Sequence, residues 1–206
     1  MDSRFIGDRE SKLNLSISSK ERRKLFDNLR KLSFNDASAD TAPNELFPYG
    51  LISRQPRDRQ YDRETALIAA TGVEQGLECA IAAHLCRRED ASKLLFADEG
   101  VLRDFNAKIK MAYIIGVVGK KTAADIQAIR GVRNAFAHAR AVIYFETPEV
   151  KAVCNLITLP QREPMTMGGI EFNDARERFI QSCFRLHLHL LCYQPDREAH
   201  NPSLLD

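Results

Sequence analysis

Apolar residues recur three and four positions apart in segment after segment of this chain, a periodicity that only a helix gathers onto one side. From Asp62 onward, Leu67, Ala70, Val73, Leu77, Ile81 and Leu85 form one stripe that runs down to Arg87 and Arg88. Basic residues suit the negative end of the helix dipole, so that pair is expected to mark its close. A second run, Phe105 to Ile115, repeats the pattern and stops at Gly116 or Gly119, where glycine can adopt the left-handed conformation that ends a helix. Thr122 followed by Asp125 predicts a capping box, and the helix beyond it carries Ile126, Ile129, Val132 and Phe136 on one face. Thr147-Pro148-Glu149 has a capping hydroxyl, a first-turn proline and an acid at the positive end, so a short helix through Leu156 is predicted. Asn173 or Asp174 then caps a last long helix that carries Phe179, Ile180, Cys183, Phe184, Leu186, Leu190 and Leu191. Amphipathic helices of this length joined by short links predict an all-α helical bundle.

Ahead of these lies one more helix. Ser18-Ser19-Lys20-Glu21 reads as a capping box, and Leu25, Phe26, Leu29 and Leu32 follow at helical spacing, surrounded by Arg22, Arg23, Lys24, Arg30 and Lys31. The stretch from Phe34 to Asp62 breaks the pattern with Pro43, Pro48, Pro56 and Gly50 and reads as a connector, so the basic helix is expected in a mobile N-terminal arm. The expected organisation is therefore an arm over 1–61, the bundle over 62–195 and a tail over 196–206. Leu159 to Gly169, rich in proline and glycine, reads as a loop, with a small hairpin as the alternative.

Composition narrows the function classes. The 206 residues are 44% hydrophobic and 28% charged, ordinary for a globular chain and sufficient for a self-standing core. No apolar run approaches the roughly 20 residues a membrane helix needs, and charges enter within the first ten residues, so a cytoplasmic protein without membrane contact is expected. A net charge of +2 gives no global field that would by itself imply nucleic acid. The odd count of five cysteines points to reduced, packed thiols; Cys79 and Cys86 share a helical face, as do Cys183 and His187. His187 and His189, two apart, stand on opposite sides of a helix and cannot chelate one ion, while His84 and His200 show no partner. No metal and no cofactor are expected, and the phosphate loop, serine elbow and His-Glu-x-x-His motifs are missing.

The chemistry that remains lies on the helix after Thr122. Arg130, Asn134 and His138, four residues apart, make a narrow polar stripe opposite the apolar face. Arg133 is turned about 140° from His138 and reaches it only through its long side chain, fraying or dimer symmetry. A guanidinium can fork onto a phosphate while an imidazole moves a proton near neutral pH, the combination that RNA cleavage through the 2′-hydroxyl uses without a metal. The structural alternative pairs Arg133 with Glu74 or Glu78, leaving Asn134 and His138 to cap nearby backbone.

Phe105 to Tyr113, Ile129-Arg130-Gly131-Val132-Arg133-Asn134-Ala135-Phe136-Ala137-His138 and the helix after Arg63 resemble the mannitol operon repressor (MtlR) family over about Arg63 to Leu159. The resemblance implies an all-helical regulator that works through protein partners or as a homodimer, since no helix-turn-helix reading head is visible. More distantly, Arg133-Asn134-x-x-x-His138 looks like the Arg-x4-His motif of HEPN domains, some of which are dimeric, metal-independent ribonucleases. That likeness implies Arg133 and His138 as catalytic and Asn134 as supporting; the toxin members' His-x-Tyr is here His138-Ala139-Arg140, and Arg130 and Arg140, beside the motif, are expected as binding residues. RNA is thus the alternative partner, and DNA, through Arg22, Arg23 and Lys24, ranks below it.

Overall fold

The computed structural model describes residues 17–34, 61–85, 90, 92–162 and 174–195. Among them it contains helices and no strand, an all-α bundle: α1 Ser19–Phe34, α2 Asp62–His84, α3 Phe105–Ile114, α4 Lys120–His138, α5 Pro148–Cys154, α6 Leu159–Arg162 and α7 Ala175–Leu191. A five-residue π-helical turn, Ser92–Phe96, lies between α2 and α3. The predicted tail, most of the connector, Arg87, Arg88 and the second half of the loop after Leu159 lie outside the described residues, whereas Leu159–Arg162 itself winds into a short helix.

Helix starts follow the caps in part. Ser18 Oγ accepts from the Glu21 amide at 3.2 Å while the Ser18 amide donates to Glu21 Oε2 at 3.0 Å, the reciprocal box that opens α1. Those bonds from Ser18 hold the Glu21 carboxyl below the usual carboxylate range. Asp174 receives the amides of Arg176 and Glu177 at the head of α7. Pro148 takes the first turn of α5 as predicted, but Thr147 Oγ1 accepts from the Tyr144 amide instead of capping. At α4 the capping box does not form. The helix begins at Lys120 behind Gly119, and Asp125, already inside, is 1% exposed and committed to other partners. α3 ends where Gly116 takes a φ of 79°, a left-handed step that glycine alone takes without strain.

α2 and α7 are the longest contact in the bundle and run in the same direction. Asp62 meets Arg176, Gly72 meets His187, Gly76 meets Leu190 and His84 meets Tyr193, in that order along both helices. Gly72 and Gly76, one turn apart, let the backbones close together; a Cβ at Gly76 would stand 2.9 Å from Leu190 Cβ. Ala66, Ala70, Val73, Leu77 and Ile81 are buried behind this seam, continuing the stripe read from the sequence. By length and composition α2 could cross a membrane; here its apolar face is core, and its first residue, Asp62, is buried and paired with Arg176 at 3.0 Å. Burial holds the Asp62 carboxyl above its usual range, partly offset by the bonds it accepts from the Phe145 amide and Arg176.

α4 is the hub and packs against α1, α2, α3 and α5. Ile126, Ile129, Val132 and Phe136 are fully buried. Phe136 packs tilted against Phe145 at a centroid distance of 5.0 Å, and Phe145 likewise against Phe179 at 5.3 Å, which joins α4 to α7 through the segment after His138. α1 is not a free arm. Leu29 is 2% exposed, Phe26 lies over Gly131, and Arg22 Nη2 donates to the Ala124 carbonyl at 2.8 Å.

Candidate functional site

What seats α1 on α4 is the absence of a side chain. Glycine inside a helix costs about 1 kcal/mol relative to alanine, so Gly131 must be offset by a close approach. A Cβ there would come within 2.6 Å of Phe26 Cε1. Phe26 and Leu29 therefore fill the space above Gly131 and bring the basic side of α1 beside the polar stripe of α4.

The two helices leave a cleft of about 460 Å³ between them, with Arg22, Arg23 and Arg30 on one wall and Gln127, Arg130 and Asn134 on the other. Asp27 is its one acidic side chain, against four arginines, and none of these charges forms an ion pair with a described residue. Arg130 is half-buried; desolvation, and then the neighbouring charge of Arg30, hold its pKa below the usual guanidinium range. Arginine stays protonated regardless, so the shift records a cation that is poorly hydrated and faces another cation. Both amide oxygens on the α4 wall are already used: Arg130 Nε donates to Gln127 Oε1 at 3.0 Å, and Arg133 Nη1 donates to Asn134 Oδ1 at 3.1 Å. Gln127 Nε2 goes to Asn106 Oδ1 at 2.8 Å, which leaves the Asn134 amide N–H groups for the cleft.

Arg130 and Asn134 thus lie in the cleft, as their shared stripe implied, whereas His138 stands exposed at the end of α4 without a described hydrogen-bond partner. Arg133 is half-buried on the flank of α4 and does not pair with Glu74 or Glu78. Lys108 takes both carboxylates, at 2.7 and 2.6 Å, because it is the cation that α3 carries across from α2. Asn134 likewise caps no backbone; its oxygen orients Arg133. Arg140 is exposed beyond the helix, where Arg63 Nη2 donates to the Ala139 carbonyl at 2.7 Å. Arg30 was missed as a site residue because, read alone, it is one more charge on a solvated helix face. Gly131 was the available signal, an interior helical glycine that asks for a neighbour.

The other polar candidates are structural. His84 Nε2 lies 2.6 Å from Tyr193 Oη with the rings stacked, so it does have a partner, and His187 Nδ1 donates to the Gly72 carbonyl at 2.7 Å. Cys154 and Cys183 are buried, and burial pushes both thiols up, while Cys79 and Cys192 are exposed, against the expectation that Cys79 would pack inside. No group of three or more potential metal ligands occurs among the described residues.

A second surface is apolar. Tyr61 and Ile68 lie within about 40° of Gly72 around α2, and Phe184 and Leu191 within about 60° of His187 around α7, on the side away from the core. All four are exposed, by 50, 73, 56 and 48%, as is Leu188 beside them at 45%. By their helical positions they fall on the outer side of the α2–α7 seam, spread along its length and interspersed with the exposed Thr71 and Gln75.

Fold and surfaces together define an all-α bundle with an arginine-lined cleft on one side and an apolar patch along another helix pair. No protein-family model, curated protein or solved structure matches the chain.

Proposed function

We propose that this protein is a cytoplasmic regulatory protein of the mannitol-repressor kind, non-enzymatic, working through protein contact and self-association. The observation that supports it is the patch of Tyr61, Ile68, Phe184, Leu188 and Leu191 on the outside of the α2–α7 seam. Large apolar side chains exposed on one side of a helix pair cost solubility unless another surface covers them. A second copy is the occupant we assign, because a patch astride two parallel helices can meet its own image about a two-fold axis. Direct DNA reading has less support, since α1, the basic helix, is docked with Phe26 and Leu29 inward and Arg22 bound to the Ala124 carbonyl. Light scattering on the full chain is expected to give a dimer that the Phe184→Glu/Leu188→Glu variant converts to a folded monomer. In cells, the same variant should change the transcript levels that the wild-type protein sets. A wild-type monomer at tens of micromolar, or equal transcript profiles, overturns the reading.

A metal-independent ribonuclease is the second reading, favoured by the exposed imidazole of His138 at the end of the stripe, without a partner among the described residues, and by Arg133 held against Asn134. It predicts EDTA-resistant RNA cleavage that leaves a cyclic phosphate and is abolished in His138→Ala. Intact RNA after prolonged incubation with the dimer excludes it.

A further inference from the structure

We propose that the turn between α3 and α4 docks the protein on an anionic phospholipid surface, with Tyr113 and Ile114 entering the interface and Lys110, Lys120 and Lys121 on its phosphates. Gln127 Nε2 on α4 donates to Asn106 Oδ1 near the start of α3, and the Val118 amide donates to the Ala112 carbonyl near the turn. The two helices therefore run antiparallel, and residues 115–119 form their tip. Ile114 is 75% and Tyr113 49% exposed there, whereas Ile115 and Val117 beside them pack against the core. Helical spacing puts Lys110, Tyr113 and Ile114 within an arc of about 100° on the outer side of α3. The turn itself stands clear: among the described residues nothing lies within 4 Å of where a Cβ on Gly116 or Gly119 would be.

Charge chooses the occupant. From Phe105 to Ala124 the chain has four lysines and no acid. Lys108 is turned inward to Glu74 and Glu78, which leaves Lys110, Lys120 and Lys121 exposed. Lys120 and Lys121 occupy the first turn of α4, at the positive end of its dipole, where folding alone favours acids. Arg22 bonds the Ala124 carbonyl and Phe26 lies over Gly131, so α1 rises alongside α4 from this same end and adds exposed Lys20 and Arg23 against Glu21. A protruding tip with apolar residues at its crown and cations around it matches a lipid interface. Aliphatic and aromatic side chains sink among the headgroups while lysine stems reach back to phosphate. A folded protein partner would need a pocket to receive the same protrusion. Contact of this kind is peripheral and needs no spanning segment.

The test is sedimentation of the full chain with vesicles of equimolar phosphatidylcholine and phosphatidylglycerol, and with vesicles of phosphatidylcholine alone. The mixed vesicles are expected to carry the protein down and phosphatidylcholine alone to leave it in solution. Each lysine near an anionic surface gains roughly fivefold in binding, so Lys110→Gln/Lys120→Gln/Lys121→Gln should weaken it by about 100-fold. Tyr113→Ser/Ile114→Ser should weaken it by about 10-fold or more at an unchanged melting temperature, because neither side chain is in the core. The chain has no tryptophan, so Tyr113→Trp supplies a single reporter whose emission should shift to the blue on mixed vesicles. Protein that stays in solution with mixed vesicles overturns the assignment. Undiminished sedimentation of Tyr113→Ser/Ile114→Ser, an unshifted tryptophan, or an oligoglutamate peptide or single-stranded RNA that binds through these lysines when vesicles do not, overturns it as well.

Discussion

Lys108→Met is expected to lower unfolding stability by about 3 kcal/mol, the lower end of what breaking a buried ion pair costs. Lys108 is 4% exposed and bridges Glu74 and Glu78, so removing it leaves two carboxylates of α2 facing each other beside an apolar side chain. Those carboxylates are 17 and 33% exposed and recover some hydration, which places the loss at the lower end. The bridge also has a pH signature. Burial alone would lower the Lys108 pKa, but the hydrogen bonds and charges of Glu74 and Glu78 together hold it above the usual lysine range. A cation whose pKa is raised in the fold stabilises fully below its unfolded value, near 10.4, and loses that contribution as pH climbs through the folded value. Urea unfolding of the wild type should therefore weaken above about pH 10 more steeply than that of Lys108→Met. Equal midpoints for the two proteins at pH 7 would mean that the bridge contributes nothing.

Asp125→Ala is expected to cost about as much, roughly 3 kcal/mol, for a different reason. Asp125 Oδ2 receives Arg162 Nη2 at 2.6 Å, and Oδ1 receives the Thr158 amide at 3.0 Å, so one carboxylate ties α4 to the loop and helix that precede α7. Without it the Thr158 amide loses its acceptor and Arg162, 27% exposed, keeps among the described residues only hydroxyl contacts to Thr158 and Thr122. Asp125→Asn retains the acceptor oxygen for the Thr158 amide but not the charge that pairs with Arg162, so it should recover only part of the loss, whereas a helix-capping role, which asparagine fills as well as aspartate, would let it recover nearly all of it. Thermal unfolding of both proteins at pH 7 distinguishes these.

Asp125 also shows where sequence pattern stops being informative. A Thr three residues ahead of an Asp has the spacing of a capping box, and Ser18 with Glu21 forms one. At Thr122 the same spacing is overruled by a long-range partner, Arg162, 37 residues away, which no local pattern reveals. The apolar periodicities of α2, α3, α4 and α7 were legible because burial selects one face of each helix regardless of topology. Pairings between helices were not. Glu74 and Glu78 looked available to Arg133, yet which cation reaches them depends on α3 crossing α2. The candidate site was half visible: Arg130 and Asn134 share a stripe by spacing alone, but the opposite wall belongs to a helix about a hundred residues earlier whose docking only Gly131 hinted at.

The cleft exists only if α1 is held on α4, and amide hydrogen exchange on the full chain measures that directly. A helix of 16 residues is marginal in water by itself, so protection of its amides reports tertiary packing. The amides of α1 around Phe26 and Leu29 are expected to exchange as slowly as those in the middle of α4, and Gly131→Leu, which drives a side chain into Phe26, should release α1 alone. Exchange of α1 at the rate of an unstructured peptide in the wild-type protein, with α4 still protected, would contradict the account.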